Sequence, residues 1–335
     1  MIVPRVIRIG ELINFSSTKT IDGKLCITKQ KAISIVNNPC ADNNDVALIT
    51  AWDIGECVAY LGVLPNHILE NENIKKIYWM SSFYTAPSYQ GKGIGTKLME
   101  ELKKENIDIY SSHRLTGTYI KAKFSSLGDI KYKAIDFKKL KSFFRIFLSN
   151  DFVRNKINKN LKRGSNQNNQ FDFTPISQFG PEFMPFVKET SFLNSLEHYN
   201  WILKFPWVFS KELVGESSYV FSYRRDFFKH FAFEIRNNKK LIGGILFYIS
   251  HNNNEKYMQI SSVIGNVKLS EIQLFITKKV IEFNIDKIIC QKELFKNKFL
   301  LNTTYENRFY VGFSLKDLNT SNLELTLMDG DRQLY

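Results

Sequence analysis

Hydrophobic and polar positions in the first half of the chain predict a buried strand that leads into an amphipathic helix. Residues 79–85 are rich in aromatic and other β-compatible side chains, which is typical of a buried strand. Pro87 lacks a backbone donor, so we expect the strand to end before it. From there on, apolar residues recur every four positions, at Ile94, Leu98 and Leu102, with charged residues between them. This spacing predicts a helix with one buried stripe.

The same reasoning predicts the order of the elements around this strand and helix. Residues 1–37 alternate in short stretches that indicate an opening strand, an irregular or helical segment, and a return strand at Ile33 and Ile35. Next we expect a two-strand hairpin, a polar connector, a strand, a helix, a strand, a helix that stops at Gly128, and a final strand. The expected ranges of these elements are 46–52, 57–64, 65–73, 74–85, 95–105, 107–112, 116–127 and 130–137.

A glycine-rich loop, Gln90-Gly91-Lys92-Gly93-Ile94-Gly95-Thr96, joins the central strand to its helix. Glycines before a helix let backbone N–H groups approach a ligand, and the free N–H groups and dipole of a helix start attract phosphate. The P-loop pattern GxxxxGK[ST] is missing, and the dinucleotide pattern GxGxxG fails at Thr96. The loop therefore indicates a phosphate-bearing ligand of another class, with a purely structural glycine turn as the alternative.

The order of strand, proline, Q-x-x-G-x-G loop and helix resembles the acetyl-CoA-binding motif of the GCN5-related N-acetyltransferases (GNAT). The resemblance spans residues 1–137 and implies an α+β fold, with a twisted, mostly antiparallel sheet flanked by helices. It implies acetyl-CoA or another acyl-CoA as cosubstrate, with the pantetheine arm on the strand and the diphosphate on the loop amides. Gly93 and Gly95 would leave space for the phosphates. The implied cofactor-binding residues are Phe83, Tyr84, Thr85, Gln90, Gly91, Lys92, Gly93, Ile94, Gly95 and Thr96.

Residues that many members of this family use in catalysis are missing from their usual positions. A tyrosine that serves as the acid near the CoA sulfur would fall at Phe124, counted back from Gly128, and the strand before the loop carries no carboxylate. An amine that attacks a thioester needs a base, or enough burial to lose its proton. Ser82, Tyr84 and His113 are the polar groups near the strand ends, and a core or surface role is the alternative for each. No catalytic role is assigned from the sequence.

The second half of the chain repeats the order of elements of the first. A hairpin, a strand, a helix, a strand, a helix and a strand are expected at 231–235 with 241–250, 256–264, 269–283, 287–291, 293–301 and 308–314. We therefore expect tandem GNAT-like domains, with an unrelated second α+β domain as the alternative. The copy lacks the glycine loop, because only Gly265 follows its corresponding strand. The expected divisions are an acetyl-CoA-binding domain at 1–137, a basic amphipathic connector and polar linker at 138–170, and a degenerate copy at 171–335.

The charge and the cysteines limit which partners and which cellular compartment we expect. The net charge is +13, and the segment from Lys138 to Arg163 carries nine basic residues against one acidic residue. This segment is either a solvated connector or a contact with nucleic acid or an anionic membrane surface, and we expect no specific nucleic-acid partner. The four cysteines have no CxxC spacing, which indicates reduced thiols and no metal site. Without a signal peptide or a run of 18 apolar residues, we expect a cytoplasmic protein with no transmembrane segment.

These features predict an enzyme that moves an acetyl or other acyl group from acyl-CoA to a small-molecule amine. An amino sugar or its nucleotide is one acceptor that fits the family. The alternative is a non-catalytic CoA-binding or scaffold protein, because both the tyrosine and the strand carboxylate are missing. The sequence leaves the acceptor, the acyl length and the oligomeric state open.

Overall fold

The structure is a computed structural model that describes residues 1–70, 73–112, 116–136, 171–187, 195–208, 219, 226–252, 255–265, 267, 269–291 and 302–313. Its strands are β1 Val3–Arg8, β2 Val46–Asp53, β3 Glu56–Glu70, β4 Asn73–Thr85, β5 Asp108–Ser111, β6 Ser125–Asp136, β7 Phe171–Ile176, β8 Phe227–Asn237, β9 Lys240–Asn252, β10 Glu255–Gly265, β11 Lys287–Gln291 and β12 Asn302–Phe313. Its helices are α1 Leu12–Phe15, α2 Lys29–Val36, α3 Ile94–Lys103, α4 Gly117–Lys121, α5 Leu196–Lys204 and α6 Leu269–Glu282. Within these ranges no helix is both long and apolar enough to span a bilayer.

The chain forms two compact units, each built from both halves of the sequence. The first unit comprises 1–130, 189–224 and 307–335, and the second comprises 131–188 and 225–306. The strand order is β1-β2-β3-β4-β5-β12 in the first unit and β7-β8-β9-β10-β11-β6 in the second. In each unit one pair is parallel, β4 with β5 and β10 with β11, and the other pairs are antiparallel. The predicted α+β fold with mostly antiparallel sheets and flanking helices is confirmed.

A helix covers one face of the sheet in each unit. In the first unit α3 buries the predicted stripe of Ile94, Leu98 and Leu102 against β2, β3 and β4. In the second unit α6 buries Ile272 and Ile276 against β8, β9 and β10. Each fully buried aliphatic side chain contributes about 1.5–3 kcal/mol to folding. The stripe spacing that the sequence predicts for α3 therefore corresponds to the core contact of that helix.

The helix predicted over 116–127 is wrong, because α4 ends at Lys121 and β6 begins at Ser125. The helix closes through two bonds, Lys123 N–H to the Ile120 carbonyl at 2.9 Å and Phe124 N–H to the Tyr119 carbonyl at 2.9 Å. Lys123 takes the left-handed conformation, with φ of 57°, that glycine usually takes in this type of helix end. Since Lys123 gives no glycine signal, the sequence pointed to Gly128, which lies inside β6.

The polar connector predicted over 65–73 is also wrong. β3 continues to Glu70 and pairs with β4 as far as Glu70↔Asn73. β2 accompanies β3 only as far as Gly62, so beyond that point one side of β3 has no β2 partner. Pro65 is tolerated on such a half-paired strand because its missing N–H breaks no ladder on that side.

The return strand predicted at Ile33 and Ile35 is a helix instead. These residues lie in α2, and the hydroxyl of Thr28 caps it by accepting from the Lys31 N–H at 3.1 Å. A local cap therefore decided the structure of a stretch whose apolar pattern was too short to separate helix from strand.

The remaining predictions divide into those that the structure confirms and those it does not describe. The hairpins, the strands corresponding to β4, β5, β10, β11 and β12, and the helices α3 and α6 are confirmed, with ends shifted by a few residues. The basic amphipathic connector and polar linker at 138–170 and the helix at 293–301 lie outside the described residues. The division at 137 and 170 stays a prediction for the same reason.

Candidate functional site

The loop after β4 presents an uncapped helix start. Pro87 opens a short 3-10 turn, and the chain then passes through Gly91 and Gly93, whose φ angles are 77° and 74°. Gly93 is the N-cap residue of α3, and no side chain bonds to the helix start there. The first N–H groups of α3 therefore lack an intrahelical partner and can receive an anion.

The three glycines of the loop serve different purposes. At Gly91 and Gly93, a Cβ atom would have no neighbour within 4 Å, so the space above the backbone is open. At Gly95, a Cβ atom would overlap the ring of Phe83 on β4. The expectation that Gly95 keeps space free for phosphate is therefore replaced by a packing role, because the ring already fills that space.

A cleft of about 530 Å³ lies over this helix start. Among the predicted cofactor residues, Tyr84 and Lys92 lie outside its lining. The lining consists of Phe83, Thr85, Tyr89, Gln90, Gly91, Gly93, Ile94, Gly95, Thr96, Gly117, Thr118 and Lys121. The structure thus brings the end of β4, the glycine loop and the helix α4 to one cleft.

Polar contacts hold the loop in this conformation. The Gln90 side-chain amide donates to the Thr85 carbonyl at 3.2 Å, which ties the loop to the end of β4. The Tyr89 hydroxyl donates to Asp53 at 3.0 Å, and this hydrogen bond raises the pKa of Tyr89. The Lys92 ammonium lies 4.5 Å from the centre of the Tyr89 ring. The side chains of Gln90 and Lys92 therefore stabilise the loop through these contacts in addition to making it polar.

Four lining residues were not found by sequence reasoning, namely Tyr89, Gly117, Thr118 and Lys121. Three of them belong to α4, whose extent the sequence misjudged. The available signal was the Thr-Gly-Thr stretch at 116–118 directly before Tyr119, Ile120 and Lys121, which is typical of a helix start. Lys121 is the cation of this set and adds positive charge at the cleft.

Next to the cleft, β4 separates from β5. Parallel pairing joins Ile77–Trp79 to Asp108–Tyr110 and is described no further along β4. A β-bulge at Ser81 shifts the register with β3 between Gly62 and Val63. A bulge bends its strand and increases its twist, so the end of β4 turns away from β5.

The predicted catalytic candidates differ in their surroundings. Ser82 is buried and its hydroxyl has no hydrogen-bond partner among the described residues, while Gly62 opposite it leaves room for that hydroxyl. Tyr84 is half-buried and donates its hydroxyl proton to Asp22. Burial, together with this hydrogen bond, raises the pKa of Tyr84 to about 12, so at neutral pH it is a donor and not a base. His113 lies outside the described residues.

The position of the expected tyrosine is an apolar site. Phe124 is buried and its ring lies 5.2 Å from that of Tyr119 and 5.9 Å from that of Phe313. The Tyr119 hydroxyl is also buried and shares a hydrogen bond of 2.9 Å with Ser111. Neither residue lines the cleft.

Comparison with known proteins agrees with this geometry. A family model with the description "Acetyltransferase (GNAT) family" matches residues 24–109, which include β4, the loop and α3. A GCN5-related N-acetyltransferase from Anabaena variabilis has a similar structure at 12% identity, with a TM-score of 0.54, covering 93% of this chain and 72% of that one. One from Kribbella flavida is similar at 9% identity and a TM-score of 0.51, covering 93% and 70%. No curated protein matches the sequence.

The likeness to these solved structures concerns the fold, and the family match concerns the segment that contains the cleft. The resemblance seen in the glycine loop is confirmed: residues 24–109 match the model of the acetyltransferase (GNAT) family, and the fold of the chain is that of the GCN5-related N-acetyltransferases.

Proposed function

We propose that the protein is an acyl-CoA-dependent N-acyltransferase whose first unit binds the cosubstrate. The observation that carries this proposal is the left-handed Gly93 at the start of α3, uncapped and open toward the cleft. The diphosphate of CoA would bind the N–H groups at this helix start, and the pantetheine arm would lie along Phe83, Tyr84 and Thr85. Lys121 would add a favourable charge for the phosphates.

The reaction would transfer an acetyl or longer acyl group to an amine. The neutral amine nitrogen forms a bond to the thioester carbonyl carbon, the carbon–sulfur bond breaks, and the proton that the nitrogen loses ends on the departing CoA thiolate. A thiol with an ordinary pKa of about 8.5 leaves without strong acid assistance. Transfer can therefore proceed with Phe124 at the position where many family members have a tyrosine as the acid. We include an amino sugar or its nucleotide as one acceptor. We also propose a cytoplasmic location.

A non-catalytic CoA-binding or scaffold role is the second candidate. It is favoured by the Tyr119 hydroxyl, which is buried and hydrogen-bonded to Ser111 instead of reaching the cleft. Binding without transfer is the expected behaviour in that case.

We propose further that the second unit is a degenerate copy of the first. In both units a bulge serine follows two residues after the last position of the parallel pairing, Ser81 after Trp79 and Ser261 after Gln259. The glycine cradle is not repeated: a Cβ atom on Gly265 would come within 2.5 Å of the Ile242 carbonyl oxygen, so this glycine packs against β9. Contact of the segment from Lys138 to Arg163 with a membrane surface stays a prediction.

Thermal unfolding of the full chain with acetyl-CoA, a longer acyl-CoA and free CoA tests the cofactor site. Release of free thiol from acyl-CoA with a panel of amines then tests transfer. Stabilisation with amine-dependent thiol release supports the enzyme, and stabilisation without release supports the non-catalytic role. No stabilisation by any of the three ligands contradicts both.

A further inference from the structure

Two of the four cysteines, Cys26 and Cys57, lie with their sulfur atoms in contact inside the first unit. Their Sγ atoms are 3.6 Å apart, although the two residues are 31 positions apart in the chain. Both are free thiols, and 0% of Cys26 and 1% of Cys57 is exposed. Cys40, in contrast, donates its thiol proton to the Asn66 side chain at 3.6 Å. The fold therefore forms one pair of adjacent thiols that no spacing in the sequence indicates.

Hydrogen bonds hold the main chain on both sides of this contact. The Ile21 N–H bonds to the Cys57 carbonyl on β3 at 2.8 Å, and the Cys26 N–H bonds to the Thr18 carbonyl at 3.1 Å. Two cysteines form a disulfide without backbone movement only when their main chains are close and their side chains point toward each other. Both conditions are met here, so side-chain rotation is enough to bring the sulfurs from contact to the bond length of about 2.05 Å.

Hydrogen bonding makes the two thiols unequal. The Cys26 thiol donates to Cys57, and this bond lowers the pKa of Cys57 and raises that of Cys26. Burial and the Asp22 carboxylate disfavour both thiolates, but at Cys57 the hydrogen bonding outweighs them. Because the thiolate is the form that attacks an oxidant, Cys57 is the attacking sulfur and Cys26 the sulfur that follows.

The pair lies close to the surface of the unit. Residues 21–24, which lead from the partner of the Cys57 carbonyl to Cys26, are all exposed. A local opening of this turn would admit an oxidant as small as hydrogen peroxide. In a reducing compartment such a pair rests as two thiols and forms a disulfide only transiently.

We propose that Cys26 and Cys57 are a redox-sensitive pair that hydrogen peroxide converts into a disulfide. The Cys57 thiolate attacks one peroxide oxygen, the O–O bond breaks, and the departing hydroxide takes up the proton that the thiol released. This gives a sulfenic acid and one water. The Cys26 sulfur then attacks the sulfenic sulfur, the S–O bond breaks, and the hydroxide leaves with the Cys26 proton as the second water. The two sulfurs are oxidised and the peroxide is reduced.

The disulfide would change the stability of the first unit. It closes the chain between residues 26 and 57, a segment that contains α2 and β2. A cross-link of this kind restricts the unfolded chain and so favours the folded state. The oxidised protein should therefore unfold at a higher urea concentration than the reduced protein. This proposal is independent of the cleft and holds whether or not CoA binds there.

Thiol counting and peptide mapping of the full chain test the proposal. The folded protein, freed of reductant, is treated with hydrogen peroxide and then unfolded, and its thiols are counted with a thiol reagent. We expect the count to fall from four to two, and a non-reduced digest to contain Cys26 linked to Cys57. Dithiothreitol should restore four thiols and return the urea midpoint to its reduced value.

Cys40→Ser is the matched control, because it removes a thiol outside the pair and should still lose two thiols to peroxide. Cys26→Ala should leave a sulfenic acid on Cys57 that reacts with dimedone, and Cys57→Ala should leave Cys26 unlabelled. The wild-type peptide map decides the pairing even if a variant does not fold. The proposal is overturned if four thiols remain after peroxide, if the disulfide joins other cysteines or separate chains, or if dimedone labels Cys26 in Cys57→Ala.

Discussion

The ring of Phe83 fills the space into which a side chain at position Gly95 would project. This relationship fixes the distance between the end of β4 and the first turn of α3, because neither can move without opening or closing the contact. The cleft is built on the same two elements. The packing of the Phe83 ring on Gly95 therefore joins two elements that border the cleft.

Gly95→Ala should destabilise the protein by about 1–3 kcal/mol, because the added methyl group forces the ring or the helix to shift. The measurement is the midpoint of urea unfolding. Phe83→Leu in the Gly95→Ala background should recover part of the loss, since leucine lacks the outer ring atoms. A Gly95→Ala protein that unfolds at the wild-type midpoint would show that the contact is not tight.

Gly93→Asp should abolish stabilisation by acyl-CoA while leaving the fold intact. Aspartate tolerates the left-handed conformation and is compatible with a helix start, but its charge repels a diphosphate. The control is Gly55→Asp, which changes another glycine of positive φ with no atom within 4 Å of its Cβ position, in the turn between β2 and β3. At 100 times the dissociation constant, wild type and the control should gain about 2.7 kcal/mol in unfolding free energy. Equal gains in both variants would contradict the proposed diphosphate site.

Removal of two buried hydroxyls, those of Ser250 and Thr50, should change the stability of the protein in opposite directions. Ser250 is fully buried and its hydroxyl has no hydrogen-bond partner in the part of the chain that the structure describes, so Ser250→Ala should stabilise the second unit by roughly 1 kcal/mol. Thr50 is equally buried, but its hydroxyl donates to the Arg5 carbonyl at 3.0 Å and accepts from Trp52 at 2.9 Å. Thr50→Val should destabilise the first unit by about 1 kcal/mol or more. Thermal unfolding measures both, and a loss of stability in Ser250→Ala would refute the assignment of an unsatisfied group.

His198 should make stability depend on pH. Complete burial lowers the pKa of His198 to about 4, whereas an unfolded histidine titrates near 6.5. The unfolded state therefore binds a proton first, and stability falls as pH drops from about 6.5 toward 4, by up to about 1.4 kcal/mol per pH unit. Urea unfolding of wild type and His198→Leu across this range should show a shallower pH dependence in the variant. Identical slopes would mean that His198 is not the titrating group.

Local signals predicted the strand, loop and first-unit helix well. Two signals were local in the sequence: the spacing of Ile94, Leu98 and Leu102, and the proline after the strand. Each determines the structure of a single helix or the end of a single strand. The glycine loop was predicted because its residues are also neighbours in the sequence. The packing role of Gly95 was not predicted, because Phe83, whose ring it contacts, lies on another element.

Features that depend on distant parts of the chain escaped sequence reasoning. Asp22 and Tyr84 are 62 residues apart in the chain, so no local pattern could predict the hydrogen bond between their side chains. Next to β5 lies β12, from the far end of the chain, and no periodicity indicates such a partner. The Lys123 helix end escaped because a lysine occupied a position where glycine is the usual signal.

A crystal structure of the full chain with acetyl-CoA tests the central claim most directly. The account predicts diphosphate oxygens at hydrogen-bond distance, about 2.7–3.2 Å, from the backbone nitrogens at the start of α3 between Gly93 and Thr96. It also predicts the pantetheine arm beside Phe83 and Thr85. Acetyl-CoA bound elsewhere, or a helix start with no ligand at a saturating concentration, would contradict it.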